Sequence, residues 1–369
     1  MYKHVFTCTN ILYKSNKIKE SYICAMQTVF PTLYSTLSPT ALATYISQQY
    51  TFGPLECKFI VRGVGDTYLV SAANERFILR IYRPSHRTLA NIQAEVELLT
   101  ALHTAEVSVS YPLADKDGHY IQSLPGAEGT RHAVLFSYAE GRSHNILSDV
   151  QLRNFGQEMA RFHNISSQIQ LSKDRWTFDL ETTLFQPLAA VKDYFSEDPA
   201  TYDWLLQSAD KVKTFLSQLD TSRFSYGYCH FDFLPKNFHF DSQDNITFFD
   251  FDFFGTGWLA YDLMTFHQQL LLDMQMGRLT AEQRERTWSL FVEAYRSERA
   301  LSEEELAAIP YLGLGFWVFY MGFHATHDQF YPLMQTHMLQ GRFAVVRKLL
   351  EHAWEEVGIV ASTVREQLS

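Results

Sequence analysis

The sequence predicts an α+β chain of two packed lobes, with a small antiparallel sheet in residues 31–137 and a larger, mainly helical body in residues 138–369. Three observations carry this expectation. Short β-branched and aromatic runs follow one another between Cys57 and Arg83, separated by tight turns. From Leu152 onward apolar residues recur at helical spacing. Within that helical part stands a hairpin pattern, Phe238–Phe240 and Ile246–Phe249, with polar side chains at its open end.

At 369 residues and 46% hydrophobic, the chain has enough apolar material for two lobes, and its 15% aromatic content marks a well-packed globular protein. The cysteines, Cys8, Cys24, Cys57 and Cys229, are far apart and form no C-x-x-C pair. This points to reduced thiols in the cytoplasm rather than to a zinc site or a disulfide frame. The longest apolar run, Ile309 to Phe323, contains Pro310 and falls short of the ~20 residues a membrane span needs, so it reads as a buried core helix. The N-terminus lacks the apolar core and cleavage site of a signal peptide. The net charge of −10 is uneven, with +6 on residues 1–90 and −16 on the remainder. An acidic body does not suit a nucleic-acid partner. It fits a solvated acidic surface or a cationic substrate.

Taken in order, residues 1–30 show no periodicity, and Lys3, Lys14, Lys17 and Lys19 outnumber Glu20. This stretch reads as a tail or extension. Ser38-Pro39 supplies an N-cap with proline at the first helical position, opening a helix to about Gln49. Phe59–Val61, Tyr68–Val70 and Phe77–Tyr82 are the three strands. Gly63 and Gly65, in the first turn, let backbone N–H groups approach a phosphate.

Leu89 to His103 is a helix on which Glu95 is centred on the apolar face and Glu97 points away. A carboxylate on a buried face needs a cation, and Arg80, midway along an otherwise apolar strand, is the expected partner. Ala133–Tyr138 is a further strand, ending at Ala139-Glu140-Gly141, a hinge where strand backbone could pair with an adenine edge. Helices then follow at Leu152–Asn164, Leu184–Phe195 and Tyr202–Leu219, and the region from Ala281 onward is largely helical. Two histidines three residues apart, His324 and His327, lie on a probable helix but lack a third zinc ligand.

The chemistry concentrates at the hairpin. Asp241–Asn245 is a run of turn formers between its two strands, so pairing them brings Asn237 and Asp250 side by side. Two converging oxygen ligands suit a hard cation such as Mg²⁺, which takes few protein ligands and completes its shell with phosphate and water. Asp232 sits just upstream, placed to accept the proton of an attacking hydroxyl.

These motifs resemble those of the aminoglycoside phosphotransferase / choline kinase family, over about Cys57 to Leu263. The family pattern H-G-D-x-x-x-x-N, a strand, I-D-[FW]-[DE] and Y-D-[LI] is matched by His230–Asn237, Phe249–Asp252 and Tyr261-Asp262-Leu263. The resemblance implies a protein-kinase-like two-lobed fold and transfer of the γ-phosphoryl group of ATP, with GTP an alternative, to a substrate hydroxyl. By the same resemblance Asp232 is the catalytic base, and Asn237 and Asp250 bind Mg²⁺. Gly63, Gly65, Arg80, Glu95, Ser137 and Ala139 would contact the nucleotide. His230 would shape the catalytic loop, and Asp262 would brace the loop after the metal site.

Two residues depart from the pattern. Arg80 stands where a lysine is usual, and Lys58 or Arg62 could share its role. Phe231 stands where a glycine is usual. The acceptor expected is a small hydroxylated molecule, aminoglycoside- or amino-alcohol-like, with a protein Ser/Thr acceptor or a nucleotide-binding pseudokinase as alternatives. Trp176, Phe178, Asp179 and the aromatics of Trp317–Tyr320 are expected in the core rather than in the acceptor pocket.

Overall fold

A five-stranded antiparallel sheet forms one lobe and a mainly helical body the other, in a computed structural model that describes residues 32–368. The tail expected over residues 1–30, with Cys8 and Cys24, lies outside the described residues. Strands β1 (Glu56–Arg62), β2 (Asp66–Ala72) and β3 (Glu75–Ile81) form a meander, and β5 (Gly129–Ser137) and β4 (Ile121–Gly126) complete the order β1-β2-β3-β5-β4. The alternation of β2 is complete, with Tyr68 and Val70 buried and Thr67 and Leu69 half-buried. Helix α1 (Pro39–Gln49), capped by the Ser38 hydroxyl, packs on β1, and Ile46, Tyr68, Leu79 and Leu135 form the centre of this lobe's core.

Strand β4 was not expected. Its sequence, Ile-Gln-Ser-Leu-Pro-Gly, carries one proline and little β propensity, a composition tolerated only on a sheet edge, which is where it lies.

Helix α2 (Leu89–Thr104) joins the lobes, with Glu95 buried on its inner face. The helical body follows as α3 (Asp149–Ser166), α4 (Gln186–Val191), α5 (Pro199–Leu216), α6 (Ala260–Gln275), α7 (Ala281–Glu298), α8 (Glu303–Ala325) and α9 (Thr336–Leu368). The helix expected over Leu184–Phe195 is broken into a π turn at Glu181–Phe185, the short α4, and a 3-10 turn at Lys192–Phe195. Helix α8 is long and apolar enough to cross a membrane, but it is mostly buried within the helical lobe, as expected of a core helix.

Between α3 and α6 run the small strands that carry the site. Strands β6 (Trp176–Phe178), β7 (Tyr226–Cys229) and β10 (Gly255–Trp258) form one sheet in the order β6-β10-β7, and β8 (Phe238–Phe240) pairs with β9 (Ile246–Phe248) as the expected hairpin. Phe155 on α3 lies at the centre of the body, touching Phe233, Phe238, Phe248, Phe266 and Phe291.

Gly156, beside Phe155, is where α3 and α7 meet. A Cβ there would lie 2.6 Å from the Phe291 carbonyl oxygen and 3.0 Å from the Tyr295 nitrogen, both backbone atoms that no rotamer change can move. Gly156→Ala should therefore lower stability by about 1–3 kcal/mol through overpacking, outweighing the ~1 kcal/mol gained from helix propensity. Urea unfolding of the variant measures the balance, and an unchanged midpoint would contradict the close packing.

Candidate active site

The loop from His230 to Asn237 leaves β7 and enters β8, and one carboxylate sets its shape. Asp262, in the first turn of α6 and fully buried, accepts from the His230 N–H at 2.8 Å, the Phe231 N–H at 2.6 Å and His163 Nε2 at 2.9 Å. Burial pushes His163 down despite the neighbouring carboxylate, so the neutral ring donates through Nε2 while Nδ1 accepts from the Tyr295 hydroxyl at 2.8 Å. Asp262 was expected to brace the loop after the metal site; it braces the catalytic loop itself. His230 closes the other side, its Nε2 donating to the Phe249 carbonyl at 3.0 Å and its Nδ1 accepting the Asp232 N–H at 3.2 Å.

Asp232 is thereby held almost fully buried. Its Oδ2 accepts from Asn237 Nδ2 at 2.7 Å and pairs with Lys236 Nζ at 3.0 Å, and the Tyr320 hydroxyl lies against the carboxylate. Burial pushes the Asp232 carboxyl up, and the charge of Lys236 offsets this only in part. Asn237 is oriented by the same bond. Its Nδ2 is occupied by Asp232, which leaves the amide oxygen as the end able to ligate a metal. Asp250 follows β9 with φ +64°, a left-handed conformation that ends the strand abruptly and exposes the carboxylate.

Among the described residues no three His, Cys, Asp or Glu side chains gather to hold a metal. His324 and His327 accordingly form no zinc site there. An all-oxygen pair such as Asn237 and Asp250 instead fits a cation that draws most of its shell from phosphate and water.

The Arg80–Glu95 pair expected from the sequence is not formed. Arg80 extends across the cleft, bonding Asp250 Oδ1 through one nitrogen and lying 3.5 Å from Asp252 Oδ2 with the other. Glu95 accepts instead from the Tyr82 hydroxyl at 3.0 Å, and its pKa is raised by burial against the pull of Arg80. Two carboxylates compete for Arg80, and the fork of a guanidinium reaches both.

Asp252 is gripped harder still, by Arg87 through Nε at 2.8 Å and through a second nitrogen at 2.9 Å. Burial works against its charge, but Arg87, Arg80 and Arg175 outweigh it and hold the carboxyl at about 2. Arg87 and Arg175 were not singled out in the sequence; each lies over the Trp176 ring, and neither has a motif to announce it. Lys58 and Arg62 line neither cavity, and Arg62 lies 3.6 Å from Asp66 instead.

Two cavities meet at Arg80, Lys236 and Asp250. The smaller, about 400 Å³, lies between the sheet and the hairpin and includes Ile78, Glu95, Phe136, Tyr138, Ala139 and Asn237 in its wall. Ser137, expected there, is turned away. Its hydroxyl accepts the Tyr111 N–H at 3.0 Å, and its N–H and carbonyl are bonded to the Tyr111 carbonyl and the Ser110 hydroxyl.

The larger cavity, about 520 Å³, has Asp232 at one end and the α8 aromatics Trp317, Tyr320 and Phe323 along its side. Trp317 and Tyr320 thus line the pocket, whereas Phe178 is core, stacked on Phe231 with ring centroids 4.0 Å apart. Gly63 and Gly65 border this larger cavity. The Gly63 N–H is spent on the Gly65 carbonyl at 2.8 Å, and a Cβ on Gly65 would lie 2.7 Å from the Ile81 carbonyl oxygen. The turn's glycines serve close packing on β3 first.

A small sheet lobe, a helical lobe and this loop between them agree with the comparisons. The model of the phosphotransferase enzyme family matches residues 56–301. The chain belongs to that family. It is 33% identical to an uncharacterised protein of Deinococcus radiodurans, over 80% of this chain and 84% of that one. It is 24% identical to a homoserine kinase of Rhodopseudomonas palustris, over 77% of this chain and 83% of the relative. Among solved structures it is similar in fold to a microcompartment-associated aminopropanol kinase, with a TM-score of 0.68 at 22% identity, covering 85% of this chain and 98% of that chain. The fold and the enzyme class expected from the sequence, a kinase-like fold acting as a small-molecule phosphotransferase, are those of this family.

The family's usual glycine has a visible reason here. Phe231 has φ +64°, a left-handed conformation that costs a residue with a side chain about 1–2 kcal/mol. Its ring is fully buried against Phe178 and Phe319, an environment whose loss costs a phenylalanine about 3–5 kcal/mol. Burial wins, so Phe231→Gly should relieve the backbone yet still lower stability by about 2–3 kcal/mol. A urea midpoint raised by this substitution would show that strain, not packing, dominates the position.

Proposed function

We propose that the protein transfers the γ-phosphoryl group of ATP to the hydroxyl of a small acceptor. The observation that carries this reading is the division of the site. Asn237 lines only the smaller cavity, Asp232 only the larger, and Asp250 both. A nucleotide in the smaller cavity and an acceptor in the larger would meet at Asp250, with Asp232 on the acceptor side.

In this reading the lobe of residues 31–137 clamps the nucleotide, and residues 138–369 carry the catalytic loop, the metal site and the acceptor pocket. Asn237 and Asp250 would hold Mg²⁺, which when bound would neutralise charge on the phosphates. Arg80 and Lys236 add positive charge where the transferred phosphoryl group must pass. Asp232 orients the acceptor hydroxyl and takes its proton. The protein forms no covalent bond to the phosphoryl group, so rate comes from positioning and charge stabilisation. The named relatives, kinases of homoserine and aminopropanol, support a small amino-alcohol-like acceptor, and the reduced, separated Cys57 and Cys229 fit a cytoplasmic setting.

Thermal unfolding with ATP, with Mg²⁺ and with both tests the clamp. ATP should raise the melting temperature by mass action, Mg²⁺ should enhance the effect, and Asp250→Asn should remove the enhancement. Asp232→Asn should lower kcat by about 10²–10⁴-fold while nucleotide affinity is retained. Near wild-type turnover in that variant would sink the base assignment. No stabilisation by any nucleotide would favour a scaffold without turnover.

The acidity of Asp232 gives a second test. The base works only when ionised, so kcat/KM should fall as pH drops through its raised pKa, above the ordinary carboxylate value of about 3.9. Lys236 favours the ionised form, so Lys236→Met should move this acidic limb to higher pH whatever it does to the plateau rate. A limb that stays put would mean that a different group titrates.

A further inference from the structure

We propose that the acceptor bears a carboxylate as well as a hydroxyl, and that Arg342 on α9 binds it. This rests on the kinase reading and gives its acceptor a chemical class different from the cationic one suggested by the acidic body. The cations around the larger cavity are not equally paired. Arg80 and Lys236 line it, and each already faces carboxylates, Arg80 those of Asp250 and Asp252, Lys236 that of Asp232. Arg342 lines it too, and among the described residues no acid pairs with it.

The polar contact of Arg342 is His324 Nδ1, at 3.4 Å. That ring is neutral at physiological pH, because burial and the neighbouring charges of Arg342, His327 and Lys236 hold it down at about 4. A half-buried guanidinium left facing a neutral ring has lost hydration without gaining a counter-charge, and burial lowers its pKa accordingly. A carboxylate entering the cavity would supply the missing charge, and its two oxygens match the planar fork.

The rest of the wall fits the same ligand. Trp317, Tyr320 and Phe330 offer apolar surface for a short carbon chain. Gln268 also lines the cavity; its Oε1 accepts from Trp317 Nε1 at 2.9 Å and so orients that ring, while its buried Nε2 packs against Gly313 of α8. With Asp232 and Arg342 lining one cavity of about 520 Å³, the ligand fitting both is a small hydroxy acid or hydroxy amino acid rather than a large polycation.

Matched acceptors that differ only in the carboxylate provide the test: homoserine against 3-aminopropan-1-ol, threonine against 1-aminopropan-2-ol, and serine against ethanolamine. In at least one pair kcat/KM should favour the carboxylate member. Arg342→Gln should cut that preference about 100-fold, chiefly through KM, and Arg342→Lys, which keeps the charge but not the fork, should fall between. Calorimetric binding of the same pairs to Asp232→Asn with ATP present reads the anion site without turnover.

If carboxylate members bind and Arg342→Gln abolishes this while no pair is phosphorylated, the carboxylate site stands and the kinase reading fails. If acceptors are phosphorylated with no advantage to the carboxylate, or the preference survives in Arg342→Gln, the carboxylate site fails and the kinase reading stands. If no carboxylate member binds more tightly than its partner by either readout, the inference is overturned.

Discussion

The loop from His230 to Asn237 depends on a fully buried carboxylate. Asp262 receives two backbone N–H groups and one imidazole N–H, so its charge is spread over three buried donors. Such a carboxylate fixes geometry more firmly than a neutral acceptor could, because each bond is charge-assisted. The bonds it accepts lie at His230 and Phe231, immediately before Asp232. Without them the left-handed turn at Phe231 would relax toward ordinary backbone angles, and Asp232 would swing away from the cavity it lines.

A second set of charges joins the two lobes. Arg80 comes from the sheet, Arg87 from the segment before α2 and Arg175 from the segment before β6, and all three converge on Asp252. Burying so many charges is costly, and the arrangement is tolerable because both Asp252 oxygens, Asp250 Oδ1 and Glu95 Oε2 each have a guanidinium or hydroxyl donor. This explains why arginine occupies the position on β3 where a lysine is usual. A lysine ammonium is a point charge and would have to choose between Asp250 and Asp252, whereas a planar fork spans them. Glu95, freed from neutralising Arg80, settles against Tyr82.

The extent to which this was legible in the sequence follows from how local each signal was. The meander, the Ser38 cap, the buried face of α2 and the hairpin rest on periodicity and turn chemistry within a few residues, and these features were read from them. Strand β4 was missed because an edge position tolerates a sequence with almost no strand character. The partner of Glu95 was misjudged for a different reason. Sequence could show that a buried carboxylate needed a donor, but the donor is a tyrosine two residues beyond the arginine that was expected, and the arginine is drawn off by aspartates about 170 positions away. Arg87 and Arg175 left no trace in the sequence, since their role exists only when four separate segments fold together.

Phe231 connects these themes. A glycine at this position would give the loop its left-handed turn at no cost but would leave the loop free to move against the helical lobe. The phenylalanine instead carries the turn into the core, stacking on Phe178 of β6 and meeting Phe319 of α8. Phe319 is adjacent to Tyr320, whose buried hydroxyl lies against Asp232 and is kept protonated by burial and by that carboxylate. Asp232 and the aromatic wall of the larger cavity are therefore parts of one packed unit, with Phe231 as its pin. Any displacement of α8 must be felt at Asp232, so the residues that line the larger cavity also set the position of that carboxylate. On the proposed mechanism, specificity and rate are properties of the same packing.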